Sequence, residues 1–279
     1  MRNLEVARIT EEVARLVGEA DLLLPADVRQ ALTRARDAEP SPVGREVLDR
    51  LLENADIARD ESLPICQDCG LAVIFLDLGQ DVHLTGGALV EAVNQGVREG
   101  YARHHLRKSV CHPFTRANTG DNTPALVHVR VVPGDQVRLW VVPKGGGSEN
   151  MSKVFLLTPA MGRDGVKEKV LETVEAAGPN PCPPIVVSVA VGGTFDEAGL
   201  RAKRGLLRHL GQPSPDPEAA ALEEELFTLI NNTGIGPAGL GGRTTALGVF
   251  VDIAPCHIAS LPLAVNIQCH AARHKEAVL

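Results

Sequence analysis

Eight residues early in the chain, Leu63–Gly70, read LPICQDCG. They set a soft metal ligand, Cys66, beside an amide, Gln67, and a carboxylate, Asp68. A proline stiffens the turn before them and a glycine follows. A cysteine alone is most often inert packing. With Gln67 and Asp68 as neighbours, Cys66 reads instead as a ligand of an iron–sulfur cluster, with the amide and the acid facing a substrate held there. Cys66 and Cys69 also have the spacing of half a zinc ribbon or of a redox dithiol. The second CxxC that structural zinc needs is absent. The strand-to-helix setting of a thioredoxin-type pair is not evident around Pro64 and Gly70.

The other cysteines stand singly at Cys111, Cys182, Cys256 and Cys269, several of them in glycine- or proline-rich surroundings. Such scattered thiols suit a cluster that draws distant parts of a chain together. A four-iron cluster on three thiolates leaves one iron open as a Lewis acid for a carboxylate or hydroxyl. Spacing does not choose which three. Lys144 is followed by Gly145, Gly146 and Gly147. A turn needs only one glycine, and three let the backbone approach a ligand and offer amides to an anion. The run is neither a P-loop nor GxGxxG.

Composition narrows the alternatives. Aromatic residues are 3% and the net charge is −7, which argues against stacked or electrostatic nucleic-acid binding. The longest apolar runs, such as Ile185–Val191 and Leu261–Ile267, are too short to span a bilayer, and the amphipathic N-terminus lacks a signal-peptide core. A cytoplasmic protein with reduced thiols is the expectation.

The elements that must position these residues can be read from periodicity. Val6, Ile9, Val13, Leu16 and Val17 mark a first helix, and Pro25 starts a second. Ser41 and Pro42 start a third, with Val43, Val47, Leu48, Leu51 and Leu52 inward. Leu71–Leu78 reads as a buried strand and 88–103 as a helix. Residues 103–124 form a long basic loop of the kind that carries function. Segments 125–132 and 136–142, about Pro133-Gly134-Asp135, predict a hairpin. Helices follow over 163–177, 195–210 and 217–230, and strands over 185–191, 247–254 and 261–267. Helix and strand alternate without a clear linker. The expectation is one α+β domain over 1–279, with 1–60 as its helical N-terminal layer and 61–279 as a cluster-binding catalytic region of mixed-sheet strands interleaved with helices.

Six segments in order, LPICQDCG, HLRKS, NTGDNTP, KGGGSENM, CPPIVVSVAVGGT and CHIASLPLAVNIQCHAARH, resemble the iron–sulfur (class I) fumarate hydratases and their relatives the L-tartrate dehydratases. The resemblance runs from about Asp56 to Arg273. It implies a [4Fe-4S] cluster on Cys66, Cys182 and Cys269. It implies substrate contacts from Gln67, Arg107 and the backbone of Gly145, Gly146 and Gly147, and catalytic roles for Asp68 and His257, the latter twelve residues before Cys269. Lys153, Arg116 and Arg243 are further anion contacts that surface ion pairs would explain equally.

The sequence departs from the family pattern at Cys69, where threonine is common, and at the extra Cys256. Both, with Cys111, read as packing. Single-chain members continue into a second domain to which nothing here is similar, while two-subunit members carry it as a separate polypeptide. The resemblance therefore implies an alpha subunit whose active site a beta subunit completes in a hetero-oligomer. The implied reaction is reversible hydration of a C4 dicarboxylate, fumarate to malate before tartrate. Arg107 and the glycine amides would hold carboxylate oxygens, and Asp68 would handle a proton with His257.

Overall fold

The two most apolar runs of the sequence each become an inner strand of a four-stranded sheet. Burial on both faces is why these runs are continuous rather than alternating. The structure is a computed structural model that describes residues 2–279. In chain order the elements are β1 (Arg2–Glu5), α1 (Val6–Leu22), α2 (Ala26–Ala38), α3 (Pro42–Glu61), β2 (Leu71–Gly79), β3 (Val82–Thr85), α4 (Leu89–Arg103), β4 (Leu126–Val132) and β5 (Val137–Lys144). There follow α5 (Gly146–Glu149), β6 (Lys153–Leu157), α6 (Gly162–Ala177), β7 (Ile185–Gly193), α7 (Phe195–Gly205), α8 (Pro217–Asn231), β8 (Ala246–Cys256), β9 (Leu261–Gln268) and β10 (Lys275–Val278). Runs of helices and runs of strands are intermixed along the chain, and the fold is α+β.

The chain divides into two compact units. The first comprises the chain up to Leu24, Ala55–Gly145 and Arg273–Leu279, and the second Pro25–Asn54 and Gly146–Ala272. α3 contributes residues to both.

In the first unit the sheet order is β10-β5-β2-β4, with β2 parallel to β4 and antiparallel to β5. The expected hairpin is therefore split. The segments about Pro133–Asp135 are strands, but they do not pair with each other, because β2 lies between them. β2 is buried along nearly its whole length and takes an inner place, whereas β4 is largely exposed and takes the edge. The backbones of Gly79, at the end of β2, and of Asp81 just beyond it donate to the carbonyls of Gln136 and Gly134 in the turn that crosses there. Ile9, Val13, Leu16 and Val17 of α1 form one core with Val93 and Val97 of α4 and with Ile74, Leu76, Leu139 and Val141 of the sheet. α4 approaches α1 closely. A Cβ at Gly96 would lie 2.7 Å from the Thr10 carbonyl, so only glycine fits there.

In the second unit the order is β6-β9-β7-β8, with β7 parallel to β8 and antiparallel to β9. Val187 and Val189 face α6 and α8, while Ala190 faces Ala198 and Ala202 of α7, as the two-residue period of a strand requires. Ser41 Oγ accepts the Gly44 N–H and caps α3, as expected. Val43, expected inward, is instead 52% exposed in the first turn, and among the expected stripe residues Leu48 is the fully buried one. Between α2 and α3, Glu39 turns inward and accepts the backbone N–H groups of Ser41, Arg243 and Thr244. Burial works to raise its pKa, but these amides outweigh burial and hold the carboxyl below its ordinary range. Glu39 thereby pins the end of the glycine-rich loop at 231–242.

Candidate functional site

In the first unit, α3 ends at a left-handed Ser62 and the chain turns into the Cys66 loop. The Ile65 N–H donates to the Asp21 carbonyl at 2.9 Å. Cys66 Sγ accepts the Asp68 N–H at 3.4 Å, and Asp68 Oδ1 accepts the Gly70 N–H at 3.0 Å. Gly70 has φ +72°, and a Cβ on it would stand 2.6 Å from the Lys144 nitrogen, so the turn admits only glycine. Gln67 is exposed, and Cys66 and Asp68 are half-buried.

Three side chains from elsewhere in this unit hold the loop by its carbonyls. Tyr101 Oη donates to Cys69 O at 2.8 Å, and Asn122 Nδ2 donates to Gly70 O at 3.2 Å. The Arg273 guanidinium donates to Asp68 O at 2.6 Å. Asn122 also accepts the N–H groups of Ser109 and Val110, so it ties the basic loop to the Cys66 loop. The Arg107 N–H reaches Cys69 Sγ at 3.3 Å. Gly145 lies against the acid: a Cβ there would be 3.0 Å from Asp68 Oδ2. The unit thus brings Cys66, Gln67, Asp68, Arg107 and Gly145 to one loop system.

Cys69 is a packing residue, as expected, with an added role as acceptor for Arg107. It is buried, and burial pushes its thiol up to about 11, with the Asp21 charge adding to the shift. Such a thiol suits neither a redox pair nor a metal ligand.

In the second unit, Cys182 is exposed on a left-handed backbone before two prolines. His270 binds its carbonyl through both the backbone N–H and Nδ1, at 3.4 and 3.0 Å. Cys182 and Cys269 are thereby held at the same end of this sheet, where Val186 of β7 pairs with Gln268 of β9. Ser148 Oγ donates to Gln268 at 3.0 Å, and Gly147 sits against the Asn180 carbonyl. Gly146 and Gly147, exposed in α5, therefore belong to the same end.

His257 does not join this group. It lies exposed in the β8–β9 turn, where its Nδ1 accepts the Ala259 N–H. It is separated from Cys269 by the length of β9, roughly 25 Å for a strand of this size. The histidine–cysteine spacing in sequence becomes opposite ends of a strand.

None of the six cysteines is in a disulfide. The thiols of Cys66, Cys182 and Cys269 fit an iron–sulfur group in donor type and access. The amide contact at Cys66 Sγ is of the kind that cluster sulfurs accept. Among the described residues no group of three or more His, Cys, Asp or Glu side chains is gathered to hold a single metal ion.

Reading the sequence for chemistry missed Asp21, Tyr101, Asn122 and Arg273. Asp21 did carry a signal: Val13, Val17 and Asp21 fall at four-residue spacing, which puts a carboxylate on the buried stripe of α1.

The profile of the family described as fumarate hydratase (fumerase) matches residues 10–278. A chain of Methanocaldococcus jannaschii, provisionally named L(+)-tartrate dehydratase subunit alpha, is 42% identical over 95% of this chain and 95% of its own length. The L(+)-tartrate dehydratase subunit alpha of Escherichia coli strain UTI89 is 32% identical over 96% of this chain and 89% of its own. The corresponding subunit of strain K12 is 31% identical. These matches define a hydro-lyase, an enzyme that adds or removes water. The chain belongs to the fumarate hydratase family. The resemblance of its six ordered segments extends along its length. Among the described residues no helix is long and apolar enough to cross a membrane.

Proposed function

We propose that this chain is the alpha subunit of an iron–sulfur hydro-lyase acting on a C4 dicarboxylate, with its active site completed by a separate beta subunit. The observation that carries the reading is a single loop presenting Cys66, Gln67 and Asp68, bonded to the backbone of Arg107 and lying against Gly145. The subunit names of the relatives support the beta partner. The same names put L(+)-tartrate ahead of fumarate as substrate, reversing the order the sequence motifs suggested. Fumarate and malate remain the second reading, supported by the family description.

Cys66, Cys182 and Cys269 would hold a [4Fe-4S] cluster. When bound, the cluster supplies a Lewis acid for the substrate hydroxyl and carboxylate. The chain's own residues do the rest. The Arg107 guanidinium and the amides of Gly145–Gly147 hold carboxylate oxygens, and Gln67 orients the hydroxyl-bearing carbons. Asp68 Oδ1 is engaged by the Gly70 N–H, and Oδ2, facing Gly145, is our choice for the oxygen that takes or returns the proton. His257 would enter this chemistry only as a group presented by another chain, because its own strand carries it away from Cys182 and Cys269. Reduced thiols suit a cytoplasmic location.

The test is anaerobic reconstitution with iron and sulfide in the presence of the beta subunit. Keto-acid formation from L(+)-tartrate and hydration of fumarate are then assayed side by side. Tartrate turnover should dominate. No turnover of either, or visible cluster absorbance unchanged by Cys182→Ala, overturns the reading.

A further inference from the structure

Asp21 and Arg273 form an ion pair, Oδ1 to guanidinium nitrogen 3.1 Å, with side chains 0% and 4% exposed. Taking two charges out of water costs several kcal/mol per ion, and such pairs seldom repay that cost in stability. The position of this one is specific. The Asp21 backbone carbonyl accepts the N–H of Ile65, and the Arg273 nitrogen that faces the Asp21 carboxylate also donates to the carbonyl of Asp68. One residue pair therefore grips both ends of the segment Ile65–Asp68, and between those ends lie Cys66 and Gln67. A single guanidinium nitrogen, Nη2, stands against both the carboxylate and the carbonyl, a placement that the flexible ammonium of lysine does less well. Burial pushes the Asp21 carboxyl up to about 7 against the pull of Arg273, a measure of how poorly solvated the pair is.

We infer that Asp21 and Arg273 are positioning residues of the hydration chemistry: the buried pair sets the backbone of Ile65–Asp68, and so fixes where the Cys66 thiol and the Asp68 carboxylate point. This inference rests on the proposed function for its kinetic consequence, but not for its structural one. A pair kept for stability and a pair kept for positioning predict different things when both charges are replaced by apolar groups of similar size. A pair kept for stability alone can be replaced so at little or no cost, whereas loss of a positioning pair loosens the segment it holds.

The experiment uses the full-length chain carrying Asp21→Leu with Arg273→Met. With the beta subunit and a reconstituted cluster, kcat should fall about tenfold or more, the worth of one charge-assisted hydrogen bond, while KM changes little. In the chain without the cluster, exchange of the Asp68 and Gly70 amides, followed site by site, should accelerate by a similar factor, and Cys66 should be alkylated faster. Thermal stability should stay near the parent's. If the double variant does not fold, Arg273→Lys serves: it keeps a cation facing the Asp21 carboxylate, and the same local acceleration is expected, smaller than tenfold. Parental exchange and alkylation rates in a folded variant overturn the inference. If the parent itself turns over no dicarboxylate, the proposed function fails while the exchange and alkylation rates still decide the positioning role.

Discussion

Burial raises the proton affinity of two groups at the Cys66 loop, Cys69 and Asp21. Cys69 has its thiol pushed up to about 11 by burial, while Cys182 and Cys256 lie exposed. Brief treatment of the native chain with iodoacetamide at about pH 8 should label Cys182 and Cys256 and spare Cys69, read by peptide mass mapping; prompt labelling of Cys69 would show the loop open. Asp21 sets a pH dependence. Its carboxyl rises on folding from the ordinary 3.8 to about 7, chiefly through burial. A folded pKa above the unfolded one means that the folded state binds the extra proton. Asp21's contribution is therefore fully present below about pH 4 and is lost as pH rises through about 7. Denaturant titrations should show Asp21→Asn gaining on the parent by a growing margin between pH 4 and pH 7. A constant margin would mean that Asp21 does not titrate in that window. At this scale the sequence was legible where chemistry shows in residue type. Cys66, Gln67 and Asp68 drew notice as a thiol, an amide and an acid side by side, while Arg107 was marked only by the resemblance of the segment HLRKS. Arg273 did not, because an arginine near the end of a chain looks like any solvated cation until the structure shows it buried.

Elements were legible where burial is continuous or strictly periodic. The runs 71–78 and 185–191 announced β2 and β7, and the apolar spacing of α1 placed its inward face correctly. The β4–β5 pairing was not legible, because a Pro-Gly-Asp turn signals reversal of direction and cannot say whether a third strand lies between. The short strands β1, β3 and β10 carry too few residues for periodicity to speak. The corner between α2 and α3 gives a test. Glu39→Ala removes the acceptor for the amides of Ser41, Arg243 and Thr244 and leaves them in a cramped site, since a Cβ on Gly242 would already lie 2.8 Å from Glu39 Oε1. Unfolding free energy should drop by about 3 kcal/mol. Glu39→Gln, which keeps one acceptor oxygen, should recover part of it. Equal stability of all three chains would show that the glycine-rich loop is held by other means.

The whole molecule is two units threaded through one another along the chain. The first is built from the beginning, the middle and the end, and the second fills the gaps. Sequence alone suggested no linker, and none of the crossings, at 24–25, 54–55, 145–146 and 272–273, is marked by a long flexible stretch. β10 closes the first sheet by pairing with β5, and Val137 exchanges backbone hydrogen bonds with Leu279. Removing residues 275–279 should uncover the β5 edge and lower the stability of that unit by about 2 kcal/mol or more, while amide protection of β7 and β9 in the second unit is retained. Uniform loss of protection would mean that the two units unfold as one.

The interleaving also imposes an order on synthesis. Every segment of the second unit precedes residue 273 in the chain. The first unit has most of its core by residue 145 but lacks both Arg273 and β10 until residues 273–278 follow. Throughout that interval the Cys66 loop is without one of its anchors and the β5 edge is open, a state in which unpaired strands invite association with other nascent chains. The Cys66 loop is thus held in its final place only once Arg273, 205 residues beyond Asp68, has emerged.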